Sequence, residues 1–288
     1  MHSWPADYSG AWTLSGAVER SGVALHSGAT TRVRLVPSSQ PGYWVGRLQQ
    51  PGVPLQRLCP QQVAETRLCT ALRLDSGPLA TVEHLLAALA GTGVNQAEIW
   101  VDGDEIPLLD GSAQPWVEAI AEAGLEALGQ RPAAVALERP ITVQQGNSFA
   151  TALPSASLQL AVAVDYPQRA IGRQFVAYEL TPQQFVSEIA PARTFGFREQ
   201  VEQLRAAGLI QGGALDNALV CDGDHWLNPP LRFADEPARH KLLDLIGDLA
   251  LAGLPVAQVF AYRGSHGLHT ALAVALAQAH APAADRVS

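Results

Sequence analysis

A chain of 288 residues with 48% hydrophobic content can bury a large core, and its length suits two domains better than one. A formal charge of −8 with no basic face excludes a general nucleic-acid binder, although a few arginines could still hold an anionic ligand in a local pocket. The three cysteines, Cys59, Cys69 and Cys221, include no Cys-x2-Cys pair, which argues against a disulfide scaffold or a thiolate zinc knuckle and fits a reducing, cytoplasmic setting.

The N-terminal run Met1-His2-Ser3-Trp4-Pro5-Ala6-Asp7 lacks a positive region followed by an apolar one, so no signal peptide is expected. Strands are expected at Trp12–Val18 and Thr31–Val36, around the turn-rich Ser21–Gly28 in which His26 organises backbone. Arg32 and Arg34 alternate with apolar neighbours, as a strand with one wet face should. Pro37–Pro54, rich in Pro, Gly and Gln, reads as loop or irregular hairpin. Thr81–Ala90 is the clearest helix of the first half, with Thr81 as cap and Glu83 favouring the positive helix end. Ala97–Val101 reads as a strand and Gln114–Ala123 as a second helix.

Leu128–Ala133 lacks periodicity and holds Gly129 and Pro132, so the division into domains 1–129 and 130–288 is placed there. In the second half, strands are expected at 135–143, 158–164 and 174–179. Thr181 caps a helix over 182–190, with Pro182 at its first position. A further helix covers 198–207, a strand Ala218–Cys221, a helix 238–252, a strand Val256–Tyr262, a loop Arg263–Gly267 and a last helix His269–Ala279. Strands come first and helices later in both halves, which favours α+β: two similar-sized sheet-and-helix domains in a layered sandwich, with a site between them. No residue-level repeat is visible. The longest apolar segments, near 85–90 and 249–261, are interrupted and short of the roughly 20 residues that span a bilayer. A soluble chain is expected, compatible with transient contact at a membrane surface.

The chemistry concentrates in Arg239-His240-Lys241-Leu242-Leu243-Asp244-Leu245-Ile246-Gly247-Asp248. His240 and Asp244 are four apart and share a helix face, where they can close on one metal ion. An ordinary i,i+4 pair is the commoner meaning of that spacing. Lys241 is the only lysine of the chain. The best third ligand is His84, whose neighbour Glu83 could take a proton from metal-bound water; the alternative is a helix-start acid beside a surface histidine. His266, between glycine-rich neighbours, could act as an acid or imidazolium held by Asp248, or stand exposed in a loop. His2, His225, His269 and His280 have no comparable company.

Taken together, the motifs resemble the UDP-3-O-acyl-N-acetylglucosamine deacetylase family of lipid A biosynthesis. They are Thr81-Val82-Glu83-His84-Leu85-Leu86, Glu105-Ile106-Pro107-Leu108-Leu109-Asp110-Gly111-Ser112, Ala192–Phe197, Gly212–Ala218, Arg239–Leu249 and Tyr262–Leu268, in family order over roughly residues 12–277. The resemblance implies zinc on His84, His240 and Asp244, with Glu83 as general base. It implies His266 as acid or electrostatic group with Asp248 as its partner, and Thr194 stabilising the oxyanion. Lys241 would contact the polar substrate, and Phe195 and Phe197 would line the ligand region, although Phe197 packs equally well in a core. An insert near Tyr166–Gln174, including Ile171, would form part of the acyl passage. The implied substrate is a UDP-linked acylated amino sugar, with no obligate protein partner.

Two positions depart from the family pattern. Ala24 stands where glycine is usual and needs an ordinary backbone angle, and Gly264-Ser265 reverses a common Ser-Gly order. The competing expectations are a related zinc deacetylase of another acylated sugar and a non-catalytic sugar-nucleotide or lipid binder. Retention of Glu83 and His266 beside the three ligands argues against the second.

Overall fold

A computed structural model describes residues 3–130 and 137–280. Alternation makes the strands: in Thr30–Pro37 the side chains of Thr31, Val33 and Leu35 are buried, while Thr30, Arg32 and Arg34 face water. Two five-stranded sheets result, and they are built the same way. The first runs Val18–Val23, Thr30–Pro37, Gln96–Val101, Gly42–Arg47, Gln56–Arg57. Its last strand in sequence, Gln96–Val101, inserts at the centre, antiparallel to Thr30–Pro37 and parallel to Gly42–Arg47. The second runs Ile141–Gln145, Ser148–Pro154, Ala257–Tyr262, Gln159–Asp165, Arg173–Glu179. Ala257–Tyr262 is again last and central, antiparallel to one neighbour and parallel to the other.

The helices repeat the scheme. In the first half, α1 (Glu83–Gly91) precedes the central strand and α2 (Gln114–Ala123) follows it. The second half first adds α3 (Pro182–Gln184), which continues as a π-helical turn Phe185–Ile189, and then α4 (Arg198–Ala206). After these, α5 (Glu236–Ala250) precedes the central strand and α6 (His266–His280) follows it. Each half also inserts a small three-stranded sheet before its α1 or α5: Val63–Glu65, Ala71–Leu74 and Gly77–Leu79 in one, Phe195–Phe197, Leu219–Asp222 and His225–Trp226 in the other. The expected α+β class with two similar sheet-and-helix units is what forms.

The halves meet where α1 packs on α5. Leu85, Leu86 and Leu89 from α1 and Leu242, Leu243, Leu245, Ile246 and Leu249 from α5 are all essentially buried, within one continuous core. Each such side chain contributes roughly 1.5–3 kcal/mol relative to exposure. The approach is close enough to require Gly247: a Cβ there would lie 2.0 Å from the Glu83 carbonyl oxygen. Among the described residues no helix is long and apolar enough to cross a membrane.

Several local expectations need correction. Of the expected loop or irregular hairpin, Gly42–Arg47 forms a strand that pairs antiparallel with Gln56–Arg57, with Tyr43 and Val45 buried. Gly46 lies inside that strand, where the Trp100 ring across the ladder occupies the space of its side chain, 2.7 Å from a Cβ. The expected Trp12–Val18 strand is two strands, Gly10–Leu14 and Val18–Val23, the second taking in part of the expected turn. Ser148–Pro154 forms a strand that its small residues concealed, buried through Ala150 and Ala152. Thr81 does not cap α1: its φ is +59°, and its hydroxyl donates to Glu105 Oε1 while Val82 stands at the cap. Thr181 does cap α3, accepting from the Gln184 amide. Ala24 avoids the positive-φ region that glycine would have allowed. At the expected domain division, a strand Leu125–Gln130 pairs with Gly10–Leu14 and runs into 131–136, which lie outside the described residues, as do parts of the strand expected at 135–143.

Candidate active site

Three elements bring the polar groups together. The start of α1 supplies Glu83 and His84; the middle of α5 supplies His240, Lys241, Asp244 and Asp248; the start of α6 supplies His266. His240 and Asp244 sit one turn apart, and His84 reaches them across the helix contact. His240 Nε2 lies 3.4 Å and His84 Nε2 3.7 Å from Asp244 Oδ1, and the two rings meet edge-on with centroids 4.9 Å apart. His240 Nδ1 donates to the Ala192 carbonyl at 3.0 Å, so its Nε2 lone pair points into the cluster.

This donor set suits zinc. Asp244 Oδ1 is buried with no hydrogen-bond partner, which is costly unless a cation satisfies it. Ligands about 2.0–2.2 Å from one tetrahedral ion stand roughly 3.4 Å from each other, as these atoms nearly do. Burial drives the His240 pKa down to about 3 against the pull of Asp244, so the ring is a neutral ligand. Burial opposes the Asp244 charge, but Lys241 foremost, with His266, outweighs it and holds its pKa well below the carboxylate range. Lys241 Nζ donates to Asp244 Oδ2 at 2.9 Å, leaving Oδ1 toward the histidines. Burial also opposes the Lys241 charge, yet Asp244 prevails and raises its pKa.

Beside the ligand cluster stands a proton-handling group. Glu83 is 3% exposed, and burial raises its pKa despite His266 and His84; Asp248 and Asp244 add to the rise. The Thr70 amide donates to Glu83 Oε2 at 3.0 Å, and the Thr70 hydroxyl donates to Asp248 Oδ1. His266 Nδ1 donates to Asp248 Oδ2 at 3.0 Å, while its Nε2 lies 4.0 Å from Glu83 Oε1. Burial alone would lower the His266 pKa, but the charges of Asp248, Asp244 and Glu83 raise it to about 9, so it carries a proton at neutral pH.

A cavity of about 620 Å³ opens over these groups. Glu83, His84, His240, Lys241, Asp244 and His266 share its wall with Thr194, Phe195 and Phe197. The Thr194 amide donates to the Gly111 carbonyl at 2.7 Å. Its neighbour Arg193 is clamped by Glu236, a fully buried carboxylate in the first turn of α5. Tyr166 packs against both phenylalanines, with centroids 5.6 Å from each, and Lys241 Nζ lies 5.7 Å from the Phe195 ring. The apolar end of the cavity is formed by α4 and the small sheet behind it, through Val201, Leu204, Val220 and Leu227. Ile171 is 5% exposed in the core and does not line the cavity.

His266 opens α6 instead of standing in a loop, and the helix thus starts three residues earlier than expected. Two residues of the constellation went unread. His269 donates from Nδ1 to Asp248 Oδ2 at 3.1 Å, one helical turn beyond His266, and Thr70 bridges Glu83 to Asp248. Asp248, His266 and His269 also have closely grouped ligand atoms, but their N···O separations are hydrogen-bond lengths, with protons between them. His26 holds its turn through the backbone, its amide donating to Glu105 Oε1.

The sequence of this chain matches known proteins over nearly its full length. The family described as "LpxC: UDP-3-O-acyl N-acetylglycosamine deacetylase" matches residues 11–278. A UDP-3-O-acyl-N-acetylglucosamine deacetylase of Thermosynechococcus vestitus is 50% identical over 268 residues, covering 92% of this chain and 93% of the relative. One of Synechocystis sp. is 44% identical over 277 residues, 93% of this chain and 99% of the relative. A protein of Arabidopsis thaliana named "Probable UDP-3-O-acyl-N-acetylglucosamine deacetylase 1, mitochondrial" is 40% identical over 283 residues, 91% and 86% of the two chains.

Proposed function

The chain belongs to the UDP-3-O-acyl-N-acetylglucosamine deacetylase family and is a zinc-dependent amidohydrolase; from that premise we propose the residue roles and substrate fit that follow. The reaction is hydrolysis of the N-acetyl amide of UDP-3-O-acyl-N-acetylglucosamine, giving acetate and UDP-3-O-acyl-glucosamine in lipid A biosynthesis. His84, His240 and Asp244 would hold the zinc. When bound, zinc supplies Lewis acidity toward water and the amide carbonyl.

The chain's own groups do the rest. Glu83 accepts the proton of the attacking water, and its raised pKa makes it a stronger base than an exposed glutamate. The Thr70 amide fixes Oε2 and leaves Oε1 facing His266. As the carbonyl carbon becomes tetrahedral, the Thr194 hydroxyl and the His266 imidazolium stabilise the oxygen charge. When the C–N bond breaks, His266 gives its Nε2 proton to the departing amine, with Asp248 holding the opposite nitrogen. Lys241, on the cavity wall and paired with Asp244, contacts the polar part of the substrate near the reacting group. Tyr166, Phe195, Phe197 and the apolar end of the cavity take the sugar and acyl chain. The three free cysteines agree with a cytoplasmic setting.

The observation that carries this reading is the convergence of a zinc ligand set, a buried base and a charged imidazole on one cavity. The test is acetate release from the UDP-linked substrate by zinc-loaded protein, beside the same substrate already deacetylated. Turnover of the first that is abolished by chelation and restored by zinc is expected. Binding of both compounds without acetate release would overturn it.

A further inference from the structure

Asp248 is fully buried and accepts three hydrogen bonds. Thr70 takes Oδ1. Oδ2 is shared by two imidazoles, His266 Nδ1 at 3.0 Å and His269 Nδ1 at 3.1 Å, projecting from successive turns of α6. The two rings are nearly perpendicular, with centroids 6.4 Å apart. They differ at their other nitrogens. His266 Nε2 opens onto the cavity, whereas His269 is 1% exposed and its Nε2 has no hydrogen-bond partner.

The fold makes room for that second ring. A Cβ at residue 264 would lie 2.3 Å from His269 Nε2 and 3.2 Å from Cε1, so Gly264 is glycine because the imidazole rests on its Cα. A purely apolar filler would occupy the same space without burying an unpaired nitrogen. The polar ring is therefore explained by what its other nitrogen does.

We infer that His269 is a positioning residue for His266: its N–H fixes the Asp248 carboxylate and draws on the same oxygen that binds the His266 proton. This rests on the reading of His266 as the proton donor. A carboxylate with an extra donor is less basic, and it holds a neighbouring imidazolium less tightly. His266 then stays charged yet remains acidic enough to release its proton. The groups facing His266 are Asp248 and Asp244 from α5, Glu83 from α1 and His269 from its own helix. His269, on the same oxygen as His266, and the Thr70 hydroxyl, on the other, act through the partner and not on the ring.

The experiment uses the zinc-loaded full chain with His269→Leu, His269→Asn, Gly264→Ala and His266→Ala. Readouts are kcat, KM, the alkaline limb of the kcat–pH profile and the His266 titration by 15N-histidine NMR. His269→Leu should lower kcat about tenfold with KM within about twofold, and move the alkaline limb and the His266 midpoint up by about one pH unit. His269→Asn, which keeps a donor at that position, should restore both. Gly264→Ala, which displaces the ring while leaving the histidine in the chain, should reproduce His269→Leu and serves if that variant fails to fold. The inference is overturned if His269→Leu and Gly264→Ala leave limb, midpoint and kcat unmoved, or if His269→Asn is as impaired as His269→Leu. His266→Ala separates the two layers. Unchanged kcat in that variant would sink the donor reading itself, while an impaired His266→Ala beside normal His269 variants would sink only the role of His269.

Discussion

Glu83 and His266 face each other across 4.0 Å with opposite tasks, and their pKa shifts set a pH profile. Glu83 must be ionised, and its pKa lies above the ordinary glutamate value; His266 must be protonated, and its pKa is about 9. The kcat profile should therefore be a bell, its acid limb above the usual glutamate range and its alkaline limb near pH 9, and a flat profile through pH 9 would contradict the role of His266. Protonated His266, held chiefly by Asp248, contributes stability that is complete below about 6.5, the unfolded histidine value, and drains away as pH rises through about 9. Glu83→Gln keeps an acceptor for the Thr70 amide, so the variant should fold and retain zinc by atomic absorption, while acetate release falls by roughly 10²–10⁴-fold. His84, His240, Asp244 and Glu83 could be singled out in sequence, but His-x3-Asp and Glu-His are weak signals alone; the order of the family motifs along the chain carries their proposed roles. His269 is not legible that way: Arg263–Gly267 reads as loop, which hides that His266 and His269 lie one helical turn apart. Thr70 had no local signal at all, since both its partners lie on helices distant in sequence.

The contact of α1 with α5 decides whether those residues meet. Gly247 lets the Glu83 carbonyl approach α5 directly, and Gly91 at the other end of α1 accepts the Phe185 ring, 2.4 Å from a Cβ. Gly247→Ala meets backbone, which cannot turn aside, so the helices must separate. We expect a loss of at least about 1–3 kcal/mol in denaturant unfolding together with weaker zinc binding, because His84 would be carried away from His240 and Asp244. Tight zinc binding by a destabilised Gly247→Ala protein would mean that the ligand set tolerates a shift of α1. The bodies of the helices were readable from their apolar spacing, and Gln114–Ala123 was placed to the residue. Their ends were less so. Thr81 has the composition of a cap, but Glu105 from a distant segment claims its hydroxyl. Gly46 lies inside a strand, where Trp100 across the ladder takes the space of its side chain. Tertiary neighbours override local preference in both cases.

For the molecule as a whole, the repeated architecture places α1 and α5 at equivalent positions before the central strand of each sheet. The duplication left no residue-level trace because the two units share a pattern of burial, not a set of side chains. An ion held by His84 from one and by His240 and Asp244 from the other binds only when both are folded and docked. Zinc should then stabilise the entire chain, by about 4 kcal/mol when free ion stands a thousandfold above its Kd. Calorimetry should show the melting temperature rising with zinc in the wild type and unmoved in His84→Ala or His240→Ala; a zinc response that survives in either would place the ion elsewhere. Within the second unit the clamp of Glu236 on Arg193 anchors the Thr194 segment to the helix that carries two ligands, and the Thr194 amide, donating to the Gly111 carbonyl, ties that segment to the first unit. During translation His84 leaves the ribosome long before α5 exists, so metal capture must wait until the second unit has closed on the first. A half-made chain holds one of the three donors, so the complete site exists only once both units are present.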